Sequence, residues 1–463
     1  MQRVSDRAAY TVLLAVGVVC VLAFLLIRLP RADGSVLSAD GPGYFSYLRS
    51  VIFDADLDFR NEYEHLGYCE QGTTPTGLVC DLPHIENPTS TGFVGNPFSV
   101  GPALLWAPFY LAAHILSLIA QRVGFQPSLD GYGYGYESAI CTATVIYVTA
   151  GCLLTYRVCR RYFSPGPSLL AVLAVYLGSS LIHYTVAAPY MSHGVSFFAV
   201  SSFLFLWHPP RSRTSREWVL LGLSAGLMTL VRPQDVLFLS VLAVEAIQAI
   251  RVAGDTGGRA AILREYVKGG IVAGLVGTMV FVPQMLAWNR LYGSPITFTL
   301  PAGYYDWLHP DLFEYLFSAR PGLYTIHPVM ALATLGLVSL WWRDRKVTIA
   351  LLISLLLLWY LNSSIAVSYE DYAAAFGARR FISATPLFML GVAALMESVT
   401  DRFRRGSLVM LATITTLVGW NLLSELQFSW GFIDPQKPLS LYHLTFGKFE
   451  MIIQLVARVV SKL

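Results

Sequence analysis

Apolar residues run along this chain in long blocks separated by basic or proline-containing interruptions, with helical rather than alternating spacing. The first block, residues 8–27, is long enough to span a hydrocarbon core about 30 Å thick at about 1.5 Å per residue. It ends in Arg28, Pro30 and Arg31 without the small-residue cleavage site of a signal peptide, which predicts a retained first helix. Further blocks lie at 99–119, 136–156, 168–186, 190–207, 217–231, 234–250, 268–287, 324–342, 347–361, 379–397 and 407–424, with a weaker one at 441–458 inside the C-terminal segment 425–463. The pattern predicts an all-α fold, a polytopic transmembrane helical bundle of about 11–12 crossings forming one domain over residues 1–463.

Basic residues fix the expected orientation. Arg3 and Arg7 precede the first block, and later clusters occur at Arg157, Arg160 and Arg161; Arg211, Arg213 and Arg216; Arg251, Arg259, Arg264 and Lys268; Arg343, Arg345 and Lys346; Arg402, Arg404 and Arg405; and Arg458 and Lys462. The positive-inside rule assigns all of them, and the N terminus, to the cytoplasm of a bacterial-type inner or plasma membrane. Two blocks then stand where parity allows one, before Arg157. Residues 99–119 contain Pro102, Pro108 and His114, and are read as an interfacial or re-entrant helix. Residues 30–98 become the first extracytoplasmic loop, with an amphipathic membrane-surface helix at 42–53 built on Tyr44, Phe45, Tyr47, Leu48, Val51, Ile52 and Phe53.

Composition agrees with the pattern. The 463 residues are 55% hydrophobic and only 13% charged, with a mean hydropathy of +0.55, which excludes an ordinary soluble protein. A net charge of +3 offers no large basic surface, so nucleic acid is not an expected partner. The first loop is the exception to this balance, because its acids far outnumber Arg31, Arg49 and Arg60. Cys69 and Cys80 share that loop and either form a disulfide or remain free, while Cys20, Cys141, Cys152 and Cys159 read as packing residues.

An early Asp after the first crossing, a surface helix, a later GNPFSVGPALLW stretch (xNPxxxGxxxxW, residues 95–106) and many further crossings resemble the GT-C superfamily. These are multispanning glycosyltransferases such as the protein O-mannosyltransferases and the aminoarabinose transferases of lipid A. The resemblance implies a donor sugar carried on polyprenyl phosphate and an acceptor glycan, lipid or protein. It also implies that the early acid, here Asp40, is the base that activates the acceptor. Two features depart from the family pattern: Asp40 is followed by Gly41 rather than by a second charged residue, and Asn96 stands where some relatives carry an acid before the proline.

That chemistry has definite requirements. An inverting transfer through an oxocarbenium-like transition state needs a carboxylate to take the acceptor proton. The departing phosphate needs cations, and arginine offers a planar fork of donors. Arg379 and Arg380, at the start of a crossing, and Arg232, at a proline break in LVRPQDV, are the candidate donor-phosphate residues. Against this, Arg379 and Arg380 read equally as snorkelling anchors, and Arg232 as an ion pair with Asp235 that closes a hairpin. Tyr44, Asn96, His193 and Glu370 are candidates for contact with acceptor or substrate, with Asn289 and Arg290 weaker. Asp54, Asp56 and Asp58 either hold a divalent metal such as Mg or Mn, form a solvated turn, or position the acceptor. No other cofactor is implied. Nucleotide-binding and zinc-protease motifs are absent, as is an obvious internal repeat. Two classes of function remain: a GT-C type enzyme, and a non-enzymatic lipid-linked glycan transporter or assembly subunit on the same scaffold.

Overall fold

The computed structural model describes residues 4–27, 35–80, 85, 87–207, 212–253, 256–319, 322–366, 375–434 and 437–460. The chain opens with α1 (Asp6–Ile27), α2 (Gly41–Arg49) and α3 (Arg60–His65), then a ribbon of β1 (Cys69–Gln71) and β2 (Leu78–Cys80). There follow α4 (Gly101–Arg122), α5 (Tyr134–Cys159), α6 (Pro165–Gly178), α7 (His183–Val186), α8 (Ser192–Trp207), α9 (Ser215–Val231) and α10 (Ser240–Val252). The second half comprises α11 (Thr256–Tyr292), α12 (Leu312–Phe317), α13 (Leu323–Ile326), α14 (Pro328–Leu340), α15 (Arg345–Ser363), α16 (Thr385–Arg402), α17 (Gly406–Ser429), α18 (Leu441–Leu444) and α19 (Phe446–Val460). This is an all-α, polytopic helical bundle. Among the described residues 7 helices are long and apolar enough to cross a membrane, and α6, α8 and α14 are apolar but shorter.

The shorter helices have a physical cause. The apolar block at 168–186 breaks after Gly178, and the block at 324–342 breaks at His327–Pro328, where proline brings no N–H to continue a helix. Freed backbone groups in an apolar bundle need partners. Asn421 of α17 supplies them, donating to the carbonyls of Leu177 (2.8 Å) and Ser179 (3.1 Å) while its own carbonyl contacts Nδ1 of His327 (2.6 Å).

Helices α1 and α5 run antiparallel and define two ends of the bundle. At one end Asp6 accepts from Arg160 (2.7 Å) and from the hydroxyl of Tyr156 (2.5 Å). At the other, Glu137 near the start of α5 accepts from Ser35 (2.9 Å) and from the backbone N–H of Val36 (2.6 Å). The chain between α1 and α5 therefore leaves and returns at the same end, the one that carries Asp40. Helix α4 belongs to that excursion. By length and composition it is able to cross a membrane, yet it starts beside the middle of α5, where Tyr147 donates to the carbonyl of Leu105 (2.9 Å). It then passes the first turn of α5, where His114 meets the hydroxyl of Tyr136 (2.7 Å).

Helix α2 lies where the apolar spacing predicts, prolonged by a π turn over Ser50–Asp54, but it is not a membrane-surface helix. Gly41 to Leu48 are all buried in protein. Tyr44 packs on Phe98 and Trp106, Phe45 on Tyr110, and Tyr47 on Phe59, so the aromatics read as lipid anchors instead face residues distant in sequence. Cys69 and Cys80 are paired across the ribbon and disulfide-bonded.

The described basic clusters collect at the end away from Asp40 and are tied into a mesh. Arg213 forms a two-point contact with Glu245 (2.9 and 3.0 Å), and Arg343 bonds Glu397 (3.1 Å) and the carbonyl of Tyr162 (3.2 Å). Helices α14 and α16 cross at Gly336 and Gly391, where a Cβ on either residue would strike the backbone of the other helix. Overpacking at such a contact typically costs about 1–3 kcal/mol. Gly336→Val is therefore expected to lower the thermal unfolding midpoint of the detergent-solubilised protein. Gly419→Ala, in open space on α17, should leave it unchanged or raise it by the equivalent of less than about 1 kcal/mol.

Candidate functional site

The segment SADGPGY builds one wall. Ala39 is held at φ 51°, a left-handed conformation unfavourable for a side-chain-bearing residue. Gly41 and Gly43 sit so close to the rings of Tyr190 and Phe98 that a Cβ would collide with either. The result fixes Asp40 at the N-cap of α2, but its side chain makes no capping hydrogen bond. It instead lines a cavity of about 460 Å³ together with Tyr44, His193, Arg232, Arg379 and Arg380.

Each cation arrives from a helix break. Arg232 is the C-cap of α9 in extended backbone just before Pro233, and its guanidinium donates to Nδ1 of His193, leaving the imidazole proton to Nε2. The alternative reading of Arg232, a close ion pair with Asp235, is not formed, although the guanidinium charge still acts on that carboxyl. Asp235 turns away from the cavity and accepts from Ser196 (2.6 Å), because the 3-10 turn Pro233–Leu239 points it into the bundle. Arg379 and Arg380 begin the 3-10 turn Arg379–Ala384 that leads into α16. Asp40 and the hydroxyl of Tyr184 both act electrostatically on Arg379, and Arg380 donates to the hydroxyl of Tyr304 (2.9 Å). Tyr44 shares a hydrogen bond with Ser192 (2.9 Å). Burial, and then the charge of Asp40, push its phenol up to about 12, so it is neutral at ordinary pH.

Other predicted residues lie elsewhere. Asn96 is fully buried in the scaffold: its Nδ2 donates to the carbonyl of Gly43 (2.8 Å), its Oδ1 accepts from Phe98 N–H (3.0 Å), and its own N–H donates to Tyr292 (3.0 Å). It positions α2 rather than facing the cavity. Arg290 lies over the ring of Phe93, 4.4 Å from its centre. Glu370 falls outside the described residues.

Asp54, Asp56 and Asp58 do not converge. Asp54 pairs with Arg49 and accepts from Asn61 (2.8 Å), Asp56 accepts from Ser50 (2.7 Å) and from the N–H of Asp58 (3.1 Å), and Asp58 accepts from the N–H of Arg60 (3.4 Å). The left-handed turn at Ala55 aims each acid at its own local partner, and among the described residues no group of three or more His, Cys, Asp or Glu is placed to hold a metal.

Residues that sequence reasoning missed complete the cavity: Gln234, Trp288, Phe298, Tyr304, Tyr305 and Trp307. Among the described residues, Nε2 of Gln234 is buried with no hydrogen-bond partner. Trp288 lies on α11, and Phe298, Tyr304, Tyr305 and Trp307 belong to the connection between α11 and α12, whose length without an assigned role was the available signal. A second cavity of about 690 Å³ lies between α9, α10 and α11, lined by small apolar residues including Ala225, Gly226, Ala243, Ala273, Gly274 and Gly277. It runs from Tyr266 to Trp288, about 33 Å along α11 at about 1.5 Å per residue. Trp288 lines both cavities.

Comparison with protein-family models and with curated proteins returns no match to this chain. What the fold and the site define is a class: an all-α bundle with membrane-compatible helices and, at one end, a cationic cavity containing Asp40.

Beside the Asp54 turn, Glu62 is fully buried and accepts from Arg49 (3.2 Å). Burial raises its carboxyl from 4.5 to about 7, opposed by Arg49. The folded protein thus holds a proton that the unfolded chain releases between those values, so this group's contribution makes stability fall as pH rises from about 4.5 through about 7. Thermal unfolding in detergent across that range should show the decline, and Glu62→Gln should flatten it. An unchanged slope in the variant would assign it to another group.

Proposed function

We propose that the protein is a GT-C type glycosyltransferase that moves a sugar from a polyprenyl-phosphate-linked donor to an acceptor on the extracytoplasmic face, with inversion. One observation carries this reading: Asp40 shares a single cavity with Arg232, Arg379 and Arg380. The apolar groove that meets this cavity at Trp288 supports it, since it has the length and lining a prenyl chain needs. The basic mesh at the opposite end supports an extracytoplasmic Asp40 through the positive-inside rule.

In the proposed reaction the prenyl phosphate lies against the arginines with the sugar above Asp40. The acceptor hydroxyl attacks the anomeric carbon as Asp40 takes its proton, and the bond between that carbon and the phosphate oxygen breaks. The electron pair leaves on the phosphate, where Arg379, Arg380 and Arg232 stabilise the developing charge. Neutral His193 and Tyr44 add hydrogen bonds without competing for the acceptor proton.

The test uses full-length protein in lipid nanodiscs with undecaprenyl phosphate, undecaprenol and a panel of undecaprenyl-phosphate sugars. The phosphate form should bind at least about tenfold more tightly than the alcohol, and Arg379→Gln should remove most of that difference, as expected for a charge-assisted contact of about 1.5–3 kcal/mol. With the acceptor found by screening cell-envelope glycans, lipids and peptides, Asp40→Asn should lower turnover by about 10²–10⁴ while leaving donor binding within about twofold. Equal binding of alcohol and phosphate would overturn the donor assignment, and retained turnover in Asp40→Asn would overturn the base. Movement of the intact lipid-linked sugar across the bilayer without release of prenyl phosphate would favour the transporter reading.

A further inference from the structure

The connection between α11 and α12 hangs across the cavity as a strap. A β-bridge joins Tyr305 to Ile365, and backbone hydrogen bonds join Asp306 to Ser364 (2.7 Å), Asp311 to Ser363 (2.8 Å) and Ala366 to Tyr304 (2.8 Å). These bonds fasten the strap to the end of α15. Within it Tyr305 stacks on Trp307 (centroids 4.6 Å, planes 20° apart), and Trp307 is backed by Tyr360 (6.4 Å, 23°), whose hydroxyl donates to the carbonyl of Trp307 (2.6 Å). Tyr304 meets Tyr305 edge-on at 5.0 Å. The rings form a braced aromatic shelf lining the cavity, on elements separate from those that carry Asp40, His193 and Arg232.

Resting on the reading above, we infer that this shelf is the subsite for the sugar ring of the donor. A sugar ring presents a face of C–H bonds and an edge of hydroxyls, and flat aromatic surface suits the first while polar groups suit the second. Arg380 donates to the hydroxyl of Tyr304, which links the shelf to the arginine wall. A group bonded directly to a phosphate at Arg380 is therefore carried onto the shelf, whereas an acceptor has to approach the anomeric carbon from the side opposite the phosphate. Gln234 lines the same cavity.

Binding in nanodiscs without acceptor separates this inference from the reading beneath it. The wild type should bind undecaprenyl-phosphate sugars more tightly than undecaprenyl phosphate, and Tyr305→Leu should remove about two- to tenfold of that gain, the size of one aromatic contact. Tyr305→Phe should keep it, and Tyr305→Leu should bind undecaprenyl phosphate itself as the wild type does. If Tyr305→Leu is unstable, Trp307→Leu, which removes the brace behind Tyr305, should weaken the sugar-dependent gain in the same way. A sugar-dependent gain that survives in these variants would overturn the shelf as the donor-sugar subsite while leaving the phosphate assignment intact. Failure of the wild type to bind undecaprenyl phosphate would overturn both.

Discussion

Three arginines converge on one cavity at the end of an apolar bundle, where a charge lacking a partner is costly. The surrounding structure is arranged around that cost. Arg232 leans on the imidazole of His193, Arg380 on the phenol of Tyr304, and Arg379 lies in the fields of Asp40 and Tyr184. Among the described residues that line the cavity, three guanidiniums face one carboxylate, Asp40, a balance that favours an anionic ligand.

Bringing those arginines together requires helices that end inside the bundle. Arg232 and Arg379 both sit where α-helix gives way to extended or 3-10 backbone, and the buried breaks nearby are closed by polar side chains such as Asn421. The wall opposite is rigid for another reason. Ala39 is strained, and α2 is buried along its length with glycines against the rings of Phe98 and Tyr190, so Asp40 projects from an immobilised turn. The far end carries a separate lock, in which Arg213, Glu245, Trp207 and Tyr266 form a fully partnered cluster that fixes α9, α10 and α11 where the apolar groove begins.

Some of this was legible in the chain itself. Length and apolar blocks are properties of contiguous residues, so the all-α, polytopic class and the approximate positions of the long apolar helices follow directly, as does the separation of acidic and basic clusters. Arg232, Arg379, Arg380, His193 and Tyr44 were readable as candidates because charges and polar groups near helix breaks stand out against an apolar background, and Asp40 through the resemblance to the GT-C pattern. The Asp54 to Asp58 run and Asn96 stood out for the same reason, yet they serve local turns and scaffold contacts.

Adjacency across the fold was decided only by tertiary structure. Periodicity identifies an apolar face but not what covers it, so α2 read as a membrane-surface helix although Phe98, Trp106 and Tyr110 enclose it. Block length could not show that 168–186 and 324–342 break, because the side chain satisfying those breaks comes from α17, more than 80 residues away in either case. The aromatic shelf was unreadable for a related reason. Its rings lie in a connection without periodicity, and their orientation depends on backbone hydrogen bonds to the end of α15. Sequence determined which residues are costly to bury in this protein, because that depends on side-chain chemistry and local context; the fold alone determined which of them meet, because that depends on how distant helices end beside one another.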